Sequence, residues 1–353
     1  MNKQISCNDP DFGLAPYVWK CTGSGKEARA EATMPGAYLK TIVKGTRTIG
    51  LLIDGTANDS CPLLSMPVIE YSIDDAPFIA VQLTQTSNIY AFPISQSLDA
   101  TKSHKLEVYF RASDLCYKRW TSSATHLCIA GIQIDDEASI LPYPMRSKKA
   151  IGYGDSITEG VGVDGEFTSW QILAPNNARA TWLPFVCSAL DCEYGQLGSG
   201  GQGLVKVLEL PVLTETWDHY DWETSRLENG LLLPEPDYVF CCMGTNDFGG
   251  LDITDAYIEW LTAVRKACPN TKIFCIVPPA GVHRDEIQNV VNNRHQANDR
   301  NVYFIDTPSV NAAITDHTGA TQMTYDGVHP SVYGNGMYAV NIIMEVAKAL
   351  YKS

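Results

Sequence analysis

Hydrophobic and polar positions change rhythm near residue 145. Before that point, apolar residues alternate with polar ones in short runs. Pro67–Ile73 and Lys105–Arg111 are rich in β-branched and aromatic residues, and His126–Ile134 reads as a further strand. No segment there keeps a helical period over three turns, which predicts a β-sandwich of jelly-roll-like type over residues 1–145. Leu141–Lys149 carries two prolines and a basic cluster and reads as an extended, exposed join. Beyond it, short apolar runs at 150–153, 192–197, 238–243, 272–277 and 302–305 are of the kind buried on both faces of a parallel sheet. Helical patterns lie between and after them. Tyr257, Ile258, Leu261, Val264 and Cys268 form one stripe, and Met337, Val340, Met344, Ala347 and Leu350 another. The alternation predicts a doubly wound α/β domain over residues 146–353, with chemistry at the carboxyl ends of its strands.

Composition narrows the partners. The 353 residues include 40 acidic and 26 basic side chains, a formal net charge of −14. Such a surface disfavours nucleic acid and anionic membranes, and no apolar run approaches the length of a membrane span. The first residues lack the apolar stretch of a signal peptide. Eleven cysteines without a single C-x-x-C pair argue against a zinc ribbon or a thioredoxin-type site. Several lie in apolar runs, where a buried thiol is the simplest reading, and together they suggest a reducing, cytoplasmic setting.

Polar residues follow the predicted strands in a suggestive order. Gly154-Asp155-Ser156-Ile157 follows the first, Gly198-Ser199-Gly200-Gly201-Gln202-Gly203 the second and Gly244-Thr245-Asn246-Asp247 the third, while Asp326-Gly327-Val328-His329 precedes the last helix. Acyl transfer needs such a set. Ser156 is a candidate nucleophile, His329 its base, and Asp326 the group that orients the imidazole. The Ser156 N–H, the Gly200-Gly201 backbone and the Asn246 side chain are candidate oxyanion donors.

These four blocks, in this order across residues 150–335, resemble the GDSL/SGNH hydrolase superfamily. The resemblance implies a flavodoxin-like hydrolase domain with Ser156 and His329 as nucleophile and base and no metal or organic cofactor. Among the crowded glycines, Gly201 is the favoured oxyanion donor and Gly200 the second. A β-rich region before the serine block, ending in Ile132-Gln133-Ile134-Asp135-Asp136, is similar to the join in carbohydrate esterase family 2. That likeness implies removal of O-acetyl groups from plant-derived oligosaccharides of acetyl-xylan or acetyl-mannan type.

Each block alone has a plainer explanation. Gly-Asp-Ser and Asp326-Gly327 are ordinary turn chemistry, and Gly244–Asp247 can simply cap a helix. Their joint, ordered occurrence after apolar strands favours the site. Glu159 and Asp247 are expected to shape the loops around Ser156 and Asn246. Asp155 is a candidate substrate contact. The aromatic stretch Trp217–Trp222, with Trp217, Tyr220 and Trp222, is either a sugar platform or packing against the rest of the chain. Trp170 and Trp182 are expected in packing. A lipase-like or lysophospholipid esterase and an inactive glycan-binding protein are the competing functions, and oligomeric state is left open.

Overall fold

Residues 2–86, 88–114, 119–120, 125–205, 208–309 and 322–352 are described by a computed structural model. Cys116 and His317 lie outside the described residues. Through residue 141 the alternating segments pair into two antiparallel sheets. One runs Lys20–Thr22, Arg29–Ala32, Leu127–Asp135, Ile49–Ile53, Tyr90–Ser95, with Asn2–Ser6 also paired to Leu127–Asp135. The other runs Ser139–Leu141, Tyr38–Lys44, Ser103–Ala112, Val68–Ile73, Ile79–Gln82, with Gly13–Leu14 on Tyr38–Lys44. The Ser103–Ala112 strand shows how the halves meet. Its first residues alternate exposed and buried, while Tyr109–Ala112 are all buried, because the second half of the chain covers the outer face there.

From Lys148 onward five parallel strands form one sheet. Its order is Cys192–Gly198, Lys148–Gly154, Tyr238–Cys242, Lys272–Ile276, Val302–Ile305. Lys148–Gly154 therefore sits between the strands that lead to the glycine turn and to Asn246, which gathers three of the four blocks at one edge. Helices Trp182–Ala189 and Val332–Lys352 pack on each other, as do Thr254–Ala267 and Arg284–Gln296. The molecule is thus a mixed α/β fold with one parallel and two large antiparallel sheets.

One expectation changes. The last helix does not bury the stripe Met337, Val340 and Met344, which is exposed; Tyr338, Ile342 and Val346 face inward instead. The rotation is set at its start. The Asn335 side chain accepts from Trp182 N–H (3.0 Å) and donates to the Pro330 and Ser331 carbonyls (2.7 and 3.1 Å). Tyr338 then donates to the Val277 carbonyl at 2.5 Å. The join is extended and largely exposed, as its prolines and basic residues suggested, and is held at several points. Tyr143 donates to Glu107 (2.5 Å), Arg146 to the Cys192 carbonyl (3.1 Å), and Met145 lies where only a glycine, Gly13, leaves room.

Buried apolar side chains form one continuous cluster through both halves, with Val68, Ala112 and Leu173 as a small satellite. At its centre Tyr38 packs on Tyr109 and on Tyr194, with ring centroids 5.3 and 5.2 Å apart, and donates to Glu193 at 2.5 Å. The ten described cysteines are free, all but Cys21 buried. Burial pushes these thiols up, that of Cys275 to about 12, so they act as small hydrophobes.

Candidate active site

The Ser156 turn is built by its neighbours. As the Lys148–Gly154 strand ends, Asp155 Oδ1 accepts from the Ile157 N–H at 2.9 Å and caps the single helical turn Ser156–Glu159. Thr158, at the next position round, accepts from the Trp182 indole at 3.1 Å. On the adjacent strand, a Cβ at Gly198 would collide with the Glu159 backbone, so only glycine lets this strand end approach the Ser156–Glu159 turn so closely.

His329 arrives from a loop held on both sides. Asp326 Oδ1 accepts from the Val328 and His329 N–H groups at 2.9 and 2.8 Å, closing the loop on itself. Ser331 N–H donates to the Met323 carbonyl and Val332 N–H to that of Val163, at 2.8 and 3.0 Å. The Asn335 contacts anchor the far end. In this setting His329 Nε2 lies 2.9 Å from Ser156 Oγ, and Nδ1 lies 2.6 Å from Asp326 Oδ2. The Phe167 ring packs edge-on to the imidazole, centroids 5.6 Å apart. Ser156 and His329 are both mostly buried. Burial by itself would raise the Asp326 pKa, but the imidazole and two backbone N–H groups outweigh it and hold the carboxyl at about 2. It is a carboxylate at any pH where an esterase works.

The candidate oxyanion donors separate. Neither the Ser156 nor the Gly201 N–H donates to another described residue. Gly201 has φ +76°, a conformation that favours glycine. The Asn246 amide spends one N–H on the Gln202 carbonyl at 2.9 Å, leaving the second. Gly200 is a correction: its N–H donates to Glu159 Oε2 at 2.6 Å and is not free. Asp247 accepts from Leu204 N–H at 3.0 Å and Val205 N–H at 2.7 Å. A Cβ at Gly203 would meet its Oδ1 at 2.6 Å. Glu159 and Asp247 therefore shape the loops, as their positions suggested.

Asp155 is also corrected as a substrate contact. It is wholly buried, and burial lifts its carboxyl to about 6 against the opposing pull of the Ile157 N–H and the Thr245 hydroxyl. The aromatic stretch makes contacts within the chain. Trp217 is buried, Trp222 lies on the His126 ring (centroids 5.6 Å), and Tyr220 lies under the Arg226 guanidinium (5.2 Å). The Tyr220 carbonyl accepts from Thr33 at 2.6 Å, and Asp221 pairs with Lys20 at 2.6 Å. These contacts fasten the connection to the antiparallel sheets, while Tyr220 and Trp222 stay half-exposed and Trp222 lines a small cavity with Trp120, Pro211 and His219. Trp182 is core, whereas Trp170 is 41% exposed and edges Phe167. Asn335 and Asn176, whose side chain accepts from Gly162 N–H at 3.0 Å, were not legible beforehand. Neither sits in a motif, and each acts on residues brought close only by folding.

Among the described residues no group of three His, Cys, Asp or Glu side chains is placed to hold a metal ion, and no helix is long and apolar enough to cross a membrane.

Residues 153–337, more than half of the chain, match the family model of the GDSL-like lipase/acylhydrolase family. The chain belongs to that family. Among similar proteins, an acetylxylan esterase / glucomannan deacetylase from Cellvibrio japonicus is 27% identical over 282 residues, 73% of this chain and 67% of its own. The structure of a family two carbohydrate esterase from the same organism superposes with TM-score 0.79 at 17% identity, covering 99% of this chain and 98% of that one. Est2A, an acetyl xylan esterase from Butyrivibrio proteoclasticus, superposes with TM-score 0.77 at 18% identity over 99% and 98%. The resemblances named from the sequence are both borne out. The GDSL-like chain is a carboxylic ester hydrolase with the fold of family 2 carbohydrate esterases.

Proposed function

We propose that the protein is a serine esterase that removes O-acetyl groups from plant-derived oligosaccharides of acetyl-xylan or acetyl-mannan type. The observation that carries this reading is His329 bridging Ser156 Oγ at 2.9 Å and Asp326 at 2.6 Å, beside two N–H groups without a partner among the described residues and a half-engaged amide. The names of the relatives support an acetylated sugar as substrate.

In this mechanism Ser156 Oγ attacks the acetyl carbonyl as its proton passes to His329 Nε2. Asp326 holds Nδ1–H and so keeps the other nitrogen as acceptor. The Ser156 and Gly201 N–H groups and Asn246 Nδ2 stabilise the oxyanion. Collapse breaks the bond to the sugar oxygen, which takes the proton from His329. Water, deprotonated by His329, then attacks the acetyl-enzyme; acetate leaves and Ser156 regains its proton. The route uses no cofactor. The antiparallel sheets act as a jelly-roll-like accessory unit, residues 1–145. The parallel sheet, in flavodoxin-like order, forms a doubly wound catalytic unit, residues 146–353. The ten described cysteines, all free, fit a reducing, cytoplasmic compartment, and the net charge of −14 fits a neutral sugar ligand better than nucleic acid or membrane.

The test is acetate release from acetylated xylo- and manno-oligosaccharides by wild type and Ser156→Ala, with NMR assigning the position that loses its acetyl group. Release by wild type alone supports the reading. A folded wild type that releases none overturns it. A chain-length series of nitrophenyl esters adds a second check, since steep preference for acetate excludes a lipase-like enzyme.

A further inference from the structure

The glycine turn is gripped from the antiparallel half of the molecule. Arg119 reaches across with its guanidinium almost wholly buried. Its Nη2 donates to Glu159 Oε1 at 2.5 Å and to Ser113 Oγ at 2.7 Å, and its Nη1 to the Gly198 carbonyl at 3.4 Å. The adjacent Trp120 indole donates to Ser199 Oγ at 3.3 Å. Glu159 turns its other oxygen, Oε2, to the Gly200 N–H at 2.6 Å. Three successive residues, Gly198, Ser199 and Gly200, are thus held by Arg119, by Trp120, and by Arg119 acting through Glu159. The next residue is Gly201.

We propose that Arg119 is a positioning residue for the oxyanion hole, anchoring Glu159 so that it holds Gly200 and presents the Gly201 N–H to the ester. This rests on the serine-esterase reading above. The physical need is clear from the chain. A peptide flanked by Gly200 and Gly201 has no Cβ on either side to restrict it, so its direction depends on outside anchors. A buried carboxylate serves as one only if its charge is compensated. Arg119 does this while leaving one Glu159 oxygen free to accept. Lysine has one donor centre and cannot bridge Glu159, Ser113 and Gly198 as a planar fork does. The antiparallel half therefore takes part in turnover by setting the geometry of the other half, whether or not it touches sugar.

The test compares Arg119→Met, Arg119→Lys and Glu159→Gln with wild type on an aryl acetate and on the matching thionoacetate. Oxyanion donors stabilise developing charge on oxygen far better than on the larger sulfur. Loss of one donor's aim therefore lowers the oxygen ester's rate selectively. Melting curves and endpoint titration of Ser156 with a fluorophosphonate count folded, competent sites. Arg119→Met is expected to lower kcat per titrated site on the acetate about 10- to 100-fold, the scale of an ångström-sized misplacement. KM should stay within about twofold and the thionoacetate rate within about threefold. Arg119→Lys should fall between, and Glu159→Gln should repeat the selective loss, because an amide cannot accept toward both partners. If Arg119→Met does not fold, the other two variants decide. Wild-type kcat at full titre, or equal losses on both esters, overturns the inference. A wild type that neither labels at Ser156 nor hydrolyses the acetate instead overturns the esterase reading on which it rests.

Discussion

Replacing Asp326 by asparagine separates its two tasks. Oδ1 closes the loop through the Val328 and His329 N–H groups at 2.9 and 2.8 Å, and an asparagine oxygen can keep both bonds. Oδ2 faces His329 Nδ1 at 2.6 Å. An NH2 placed there is a donor, so the imidazole must present Nδ1 as acceptor and carry its proton on Nε2. That proton then points at Ser156 Oγ, 2.9 Å away, and the base is blocked while the geometry survives. The expected fall in kcat is about 10⁴-fold, the scale for the wrong tautomer in a Ser-His-Asp arrangement. Stability should also drop. The carboxyl moves from an ordinary 3.8 to about 2 on folding, worth about 2 kcal/mol at neutral pH. That contribution is whole above about pH 4 and is lost as pH falls toward 2, because the unfolded chain takes up the proton first. Steady-state acetate release and urea unfolding at pH 7 and pH 3 measure both effects. A variant retaining kcat within tenfold would refute the tautomer argument and leave a Ser156–His329 dyad.

Three other outcomes follow from the same geometry. Asn246→Ala removes an oxyanion donor and should lower kcat about 10²–10³-fold with little change in KM; wild-type turnover would remove Asn246 from the mechanism. Asp155→Asn replaces a buried carboxyl lifted to about 6, whose contribution to stability declines as pH rises from about 4 to 6 because the folded chain binds the proton more tightly. The variant should keep the Ile157 cap and flatten the thermal-stability profile over that interval, and an unchanged slope would contradict burial as the cause. Trp222→Ala should cost about 1–3 kcal/mol through lost packing on His126 and leave KM for acetylated oligosaccharides unaltered. A tenfold rise in KM without a change in melting temperature would favour the platform reading.

Strands and blocks were legible where the signal is local. A strand buried on both faces must be continuously apolar, so 192–197, 238–243 and 272–277 declared themselves and recur within a residue or so as Cys192–Gly198, Tyr238–Cys242 and Lys272–Ile276. Turn chemistry at their ends is local too, which is why Ser156, Asn246, Asp326 and His329 stand out as candidates in the sequence. The last helix shows the limit. Its composition offers two apolar stripes, and periodicity alone favoured Met337-Val340-Met344, whereas the bonds from Asn335 to Trp182, Pro330 and Ser331 rotate the other face inward.

The amino-acid sequence by itself determined the element types, the division of texture near residue 145, and a candidate nucleophile, orienting acid and base, Ser156, Asp326 and His329, in that order along the chain. These depend on side-chain period, turn propensity and residue chemistry over a few positions. Tertiary structure alone decided that the Gly200 N–H is taken by Glu159 while that of Gly201 has no partner among the described residues, that Trp222 lies on the His126 ring, and that Arg119 reaches the Gly198–Gly200 turn. Each is a choice among partners far apart in the chain, where burial makes an unpaired polar group costly and so assigns every donor and acceptor by proximity that no local pattern encodes.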